Sequence, residues 1–302
     1  MPTPPSTVQP RGQALAVAII CGWIVGACWP LAAPAEVPPY EVSVPLSGTG
    51  SAEREAGLVE ALGAVAVKAS GRRDAASSPA IRGANPAKYV QRYSTTADKQ
   101  LKVGFDGAAV ERLLEQAGLP LWPAERPLTL VNAPTADPAA IEAAAQQRGL
   151  PIAWATGGGV DAGGRALLTG VPSGAGFSWS FTHDGRTTQA TGSAQDGVHL
   201  AADTLAASYA PASTRSSQRL TLAIGGMEDL ADYSGLLDYL GALSLVRDVQ
   251  VESLQGEVVR LSMVVRGDRE LLARIAALDG RLQAVARTGE GESPAVDFVY
   301  QP

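Results

Sequence analysis

From Tyr40 onward the apolar residues switch repeatedly between a spacing of two and a spacing of three to four, and this alternation limits the fold more than any single motif. YEVSVPL, starting at Tyr40, alternates at strand period and runs into the turn-forming SGTGS. Between Ala52 and Ala69, Leu58, Leu62, Val65, Ala66 and Ala69 recur at helical spacing, and Gly71 follows as a left-handed cap. Asn85-Pro86 predicts a short helix carrying Tyr89, Val90 and Tyr93, since a capping residue before proline suits a helix start. Leu101, Val103 and Phe105 then share one face of a strand, and Asp106 caps a helix through Val110, Leu113 and Leu114 to Gly118.

The pattern continues with PLTLVNA as a strand, Asp137-Pro138 opening an alanine-rich helix that ends at Gly149, and LPIAWA as a second strand, an order that fits a parallel βαβ step. RALLTG and FSWSFTHDGRTTQATG predict antiparallel strands, with Asp184-Gly185 as a type I′ hairpin turn and a helix from about Val198 to Tyr209. Beyond the polar PASTRSSQ, the remaining segments read strand, helix, strand, strand, helix, strand. The fold class is therefore α/β and α+β: small mixed-sheet α/β units followed by a ferredoxin-like βαββαβ C-terminal domain. The boundaries are an N-terminal α/β unit at 36–118, a middle α/β unit with an antiparallel hairpin at 119–209, a linker at 210–218, the ferredoxin-like unit at 219–287 and a tail at 288–302. Val296, Phe298, Val299 and Tyr300 in that tail suit an additional edge strand.

The first 35 residues differ in kind: Arg11, the apolar run ALAVAIICGWIVGACW and the small-residue stretch PLAAPAE have the layout of a secretory signal peptide, cleaved after Ala35. The alternative is the lipobox-like Val25-Gly26-Ala27-Cys28, in which a lipidated Cys28 would anchor the chain to a membrane. The expected location is the periplasm, or the outer membrane as a lipoprotein. The two cysteines of the chain, Cys21 and Cys28, both lie in this leader, so a chain cleaved after Ala35 has neither disulfides nor thiolate chemistry. A net charge of −6 with acids and bases interspersed gives no basic footprint for nucleic acid.

LPLWPAERPL, residues 119–128, is the most constrained stretch: three prolines fix the backbone around Trp122 and hold Trp122 and Arg126 extended. It reads as a joint, with Trp122 as a buried plug, Arg126 pairing an acid of the first unit, and Pro127 leading into the next strand. Phe177, Trp179 and Phe181 form one face of a half-buried strand and suit a core. The glycines of TGGGVDAGG join strand to strand without a phosphate-binding lysine or a following helix, so a surface loop is expected. His183 and His199 stand outside any metal-binding spacing; Ser51 suits a helix cap, and the adjacent Glu228 and Asp229 suit a helix entry. No catalytic, cofactor-binding or metal-ligating residue is assigned, and no cofactor is expected.

The segments LGAVAVKASGRRD, FDGAAVERLLEQAGLPLWPAERP, FSWSFTHDG and ADYSGLLDYLGALSLVRDVQVESLQGEVVRLSM resemble the DUF 2066 family, exported domain-of-unknown-function proteins of Gram-negative bacteria. The Trp122 and Arg126-Pro127 pattern is the strongest part of that resemblance, which brings no assigned activity. The expected function is a non-catalytic binding or assembly module of the cell envelope, whose partner is an envelope protein or cell-wall component. The alternative is a hydrolase of an envelope polymer that works through a carboxylate pair.

Overall fold

The computed structural model describes residues 40–155, 166–210, 217–285 and 296–302. The leader with Ala35 and Cys28, the glycine-rich segment 156–164 and most of the 210–218 linker lie outside the described residues.

The chain opens with β1 (Glu41–Pro45) and α1 (Ser51–Ser70), followed by a 3₁₀ turn at Arg73–Ser77, α2 (Pro79–Arg82) and a second 3₁₀ turn at Pro86–Lys88. Then come β2 (Val90–Thr95), β3 (Gln100–Phe105) and α3 (Gly107–Gln116), and the three strands pair antiparallel in the order β1-β3-β2. Val44, Leu62, Val65, Leu101, Val103 and Leu114 are buried together between sheet and helices. Gly57 lets α1 approach closely, since a Cβ there would stand 2.6 Å from Leu46 Cδ2.

Two expectations fail here. The Asn85 side chain does cap the next turn, accepting from the Ala87 amide, but the turn lasts three residues and Tyr89, Val90 and Tyr93 do not ride on a helix. VQRYST is rich in residues that favour a pleated surface, and pairing Tyr93 with Val103 and Thr95 with Leu101 gives its backbone partners that a short helix lacks. Ser51 is the first helical residue of α1; its N-cap is Gly50, with no side-chain cap.

The second sheet is built from β4 (Thr129–Asn132), α4 (Pro138–Arg148), β5 (Ile152–Trp154), β6 (Ala166–Ser173), β7 (Gly176–His183), β8 (Arg186–Gly192) and α5 (Ala194–Tyr209). Its order is β5-β4-β6-β7-β8, with β4 parallel to both neighbours and the remaining pairs antiparallel. Asp137 caps α4 and Gly149 ends it at φ 61°, so the local signals set both ends of the βαβ step. Asp184 and Gly185 both take positive φ, 48° and 71°, as a type I′ turn requires. α5 starts four residues before Val198, because Ser193 and Asp196 form a capping box.

The third sheet contains β9 (Gln218–Gly225), α6 (Leu230–Ala242), β10 (Val246–Gln255), β11 (Val258–Val265), α7 (Arg269–Ala276), β12 (Leu282–Ala284) and β13 (Phe298–Tyr300). A ferredoxin-like sheet would place β12 beside β9. The observed order is β10-β11-β9-β13-β12: the tail strand β13 lies parallel to β9 and antiparallel to β12, between the two. The tail is thus an interior strand, not an edge. Asp297 secures it, its carboxylate accepting from the Ala223 amide at 2.8 Å and pairing with Arg269 at 3.0 Å, while its own amide donates to the Ala223 carbonyl at 2.7 Å. With Phe298 and Tyr300 buried beside it, the insertion gains apolar burial that an edge position would leave wet.

The architecture is mixed α+β: three sheets with seven α-helices among the described residues, which form one compact unit. One buried cluster surrounds the first sheet; a second runs without interruption from Trp122 through Trp179 and Leu205 to Leu222, Leu261 and Phe298. The second and third sheets therefore share a core. Among the described residues no helix is long and apolar enough to cross a membrane.

Candidate functional site

Residues 119–128 connect all three sheets. The Trp122 amide donates to the Ala69 carbonyl at the end of α1 at 2.8 Å, and the ring, 3% exposed, packs against Gly71, where a Cβ would come within 2.9 Å of Cε3. Two residues on, the chain clasps the loop after α6: the Ala124 amide donates to Ser244 Oγ at 3.1 Å, while Glu125 accepts from the Ser244 amide at 2.8 Å and from its hydroxyl at 2.6 Å. The Ser244 amide, two residues past the end of α6 at Ala242, thus finds its acceptor in Glu125.

Arg126 pairs no acid among the described residues. Its guanidinium donates to backbone carbonyls: Nε to Pro123 at 3.0 Å, Nη1 to Arg148 at 3.2 Å and Gly149 at 2.6 Å, and Nη2 to Lys68 at 2.9 Å. Lys68 and Arg148 lie in the last turns of α1 and α4, where carbonyls lack helical partners and carry the negative end of the helix dipole. One planar cation thus closes two helix ends, and it stacks over Trp122 at 4.0 Å from the ring centroid. Burial pushes the Arg126 guanidinium down to about 9, and burial together with Arg126 pushes the Lys68 ammonium down to about 8. Pro127 is buried and directs the chain into β4. Trp179 lies elsewhere, fully buried beneath α5 with its indole N–H on the Ser193 carbonyl at 2.8 Å; Gly170 and Gly197 flank it where any Cβ would collide with the ring.

Beside the joint is a cleft of about 250 Å³, bounded by Leu121–Ala124, by Gly241–Ser244 and by a polar group on its wall. At the centre of that group, Glu111 Oε2 on α3 accepts from Arg266 Nη2 at 2.7 Å and Arg247 Nη2 at 2.9 Å, and its Oε1 accepts from the Tyr40 hydroxyl at 2.6 Å. Burial alone would raise the Glu111 pKa, but the Tyr40 hydroxyl and the two guanidiniums outweigh it and hold the carboxyl below its usual range. Burial and the neighbouring Glu111 push the Tyr40 hydroxyl up. Glu111 is the one carboxylate on the cleft wall among the described residues.

The other polar clusters are structural. Arg148, 1% exposed, pairs Asp203 at 2.7 Å and donates to the Gly71 carbonyl at 2.7 Å and toward His199 Nδ1 at 3.2 Å. His183 is buried with Nε2 at 3.1 Å from the Tyr209 hydroxyl, and burial holds its pKa down. Asp229 caps α6 through the Ala231 and Asp232 amides, while Glu228 stands outside the helix. Among the described residues no group of three His, Cys, Asp or Glu side chains is placed to hold a metal ion.

Of the residues singled out from sequence, the structure brings Trp122, Arg126 and Pro127 into one joint and leaves Trp179 in a separate part of the core. Sequence reasoning missed Glu111 and its partners Arg247 and Arg266, which lie 136 and 155 positions after it and share no spacing signal with it. Among family models, a domain of unknown function, DUF8605, matches residues 36–123, which span the first sheet and its helices up to the joint. No curated protein and no solved structure matches the chain.

Proposed function

We propose that the protein is an exported component of the bacterial cell envelope that binds or assembles with a partner and performs no chemistry of its own, as its resemblance to the DUF 2066 family suggests. In this reading the leader ends at Ala35 and the chain works in the periplasm, or it is held at the outer membrane through a lipidated Cys28. The partner is an envelope protein or a cell-wall component. The observation that carries the reading is the state of the cleft: its single carboxylate, Glu111, is committed to two arginines and a tyrosine and held ionised. A hydrolase of the alternative kind needs two acids facing one substrate, one of them with a raised pKa. Glu125, next in sequence to the cleft residue Ala124, is spent on Ser244.

The test is crosslinking of a tagged copy in the native envelope, with mass spectrometry of captured proteins and glycopeptides and of the N-terminal peptide. A reproducible partner crosslinked near 121–124 or 241–247, with Glu36 or lipidated Cys28 leading the chain, supports the proposal. Recovery of nothing above background, together with release of soluble fragments from envelope polymers by the purified protein, would transfer the reading to the hydrolase.

A further inference from the structure

The cleft wall holds more hydrogen-bond donors than the fold uses. Arg247 and Arg266 each engage Glu111 through Nη2 alone, so Nε and Nη1 of both guanidiniums make no hydrogen bond to the described residues. Arg247 is 57% exposed and Arg266 18%, which makes the first an accessible arm and the second a wall group. Because both converge on one carboxylate oxygen, Glu111 sets them side by side; Arg266 has a second acid in Glu115 at 4.0 Å, whereas Arg247 pairs no acid but Glu111 among the described residues. Trp122 also lines the cleft, although its indole N–H is fully buried, with no acceptor among the described residues. The cleft wall thus sets two arginines against one carboxylate, on a chain whose overall charge is −6.

We propose that this cleft is a carboxylate seat: the unused N–H groups of Arg247 and Arg266 take a carboxylate presented by a peptide segment of the partner. A carboxylate has two acceptor oxygens and can take one unused N–H from each of the two guanidiniums, a charge-assisted contact that the accessible Arg247 can make with a partner. Size favours a peptide over a free metabolite. At about 250 Å³ the cleft is smaller than typical small-molecule sites, which start at roughly 300 Å³. It suits one or two side chains of a larger molecule. Val246 and Arg247 begin β10, the outer strand of the third sheet, so a segment leaving the cleft has beside it a strand edge unpaired among the described residues.

This inference rests on the binding-module reading, and the two fail separately. The full chain is titrated by calorimetry with N-acetylated Ala-Ala-Glu-Ala bearing a free C-terminus, with the uncharged Ala-Ala-Gln-Ala amide, and with inorganic phosphate. Saturable 1:1 binding of the acidic peptide is expected, weakened at least tenfold in Arg247→Gln and partly restored in Arg247→Lys, with unchanged thermal unfolding for both variants because the side chain is more than half exposed. Equal binding of the neutral peptide, undiminished binding to Arg247→Gln, no binding of the acidic peptide, or saturation by phosphate alone would each overturn the carboxylate seat. A partner captured in cells independently of Arg247 would overturn the seat but leave the binding-module reading intact. Capture of no partner would remove that reading whatever the peptide does.

Discussion

Trp122→Ala should destabilise the fold by about 3 kcal/mol, and Trp122→Phe by about 1 kcal/mol or less. A buried tryptophan removes about 150–250 Å² from water, and truncating one to alanine costs about 3–5 kcal/mol in a packed core. Two features of this site act in opposite directions. The Arg126 guanidinium stacked on the ring adds about 0.5–2 kcal/mol that the alanine variant loses. The indole N–H, buried without an acceptor among the described residues, already carries a desolvation cost of about 1–3 kcal/mol that both variants relieve. The net places alanine at the low end of the core range. Phenylalanine keeps the ring against Gly71 and under Arg126 while removing the orphaned donor. Urea unfolding followed by far-ultraviolet circular dichroism on the full chain measures both. A loss below about 1 kcal/mol for Trp122→Ala, or equal losses for the two variants, would refute the account of the ring as a packed plug between the sheets.

Arg126→Lys keeps the charge but cannot reach two helix ends with one planar fork; it should cost about 2 kcal/mol in the same assay and speed amide exchange at the ends of α1 and α4. Lys68 has a folded pKa pushed down to about 8 from 10.5, so between these values the unfolded chain binds more protons and stability should rise with pH; in Lys68→Met that rise should diminish, as followed by thermal unfolding from pH 7 to 10.5. Asp297→Ala removes the carboxylate that ties the tail to Ala223 and Arg269, and should cost about 3 kcal/mol while making β12 and β13 exchange ahead of β9 and β11 in hydrogen-exchange mass spectrometry.

Where one chain segment carries its own signals, the fold was legible. α4 lies between a capping Asp137 and a left-handed Gly149, and the Asp184-Gly185 turn sets the register of its hairpin. β2 was not legible because Asn85-Pro86 is a genuine helix start whose continuation is decided by pairing with β3. β13 was placed at an edge because three residues cannot announce their neighbours; Asp297 and the apolar burial of Phe298 and Tyr300 draw them between β9 and β12. At the site, proline spacing marked Trp122 and Arg126 as a joint, yet the partner of Arg126 is a set of carbonyls, which no residue type advertises. Glu111, Arg247 and Arg266 meet only because the tertiary fold brings the start of β10 and the residue after β11 within reach of the Glu111 side chain.

The central claim is that a partner is held at the cleft beside the joint. A photo-crosslinking residue placed at Ala242, exposed on the cleft rim, and separately at Thr187, exposed on β8, tests it in living cells. The account predicts a discrete adduct from position 242 that is lost in Arg247→Gln, and none from position 187. Adducts from position 187 alone, or from neither position, would contradict it.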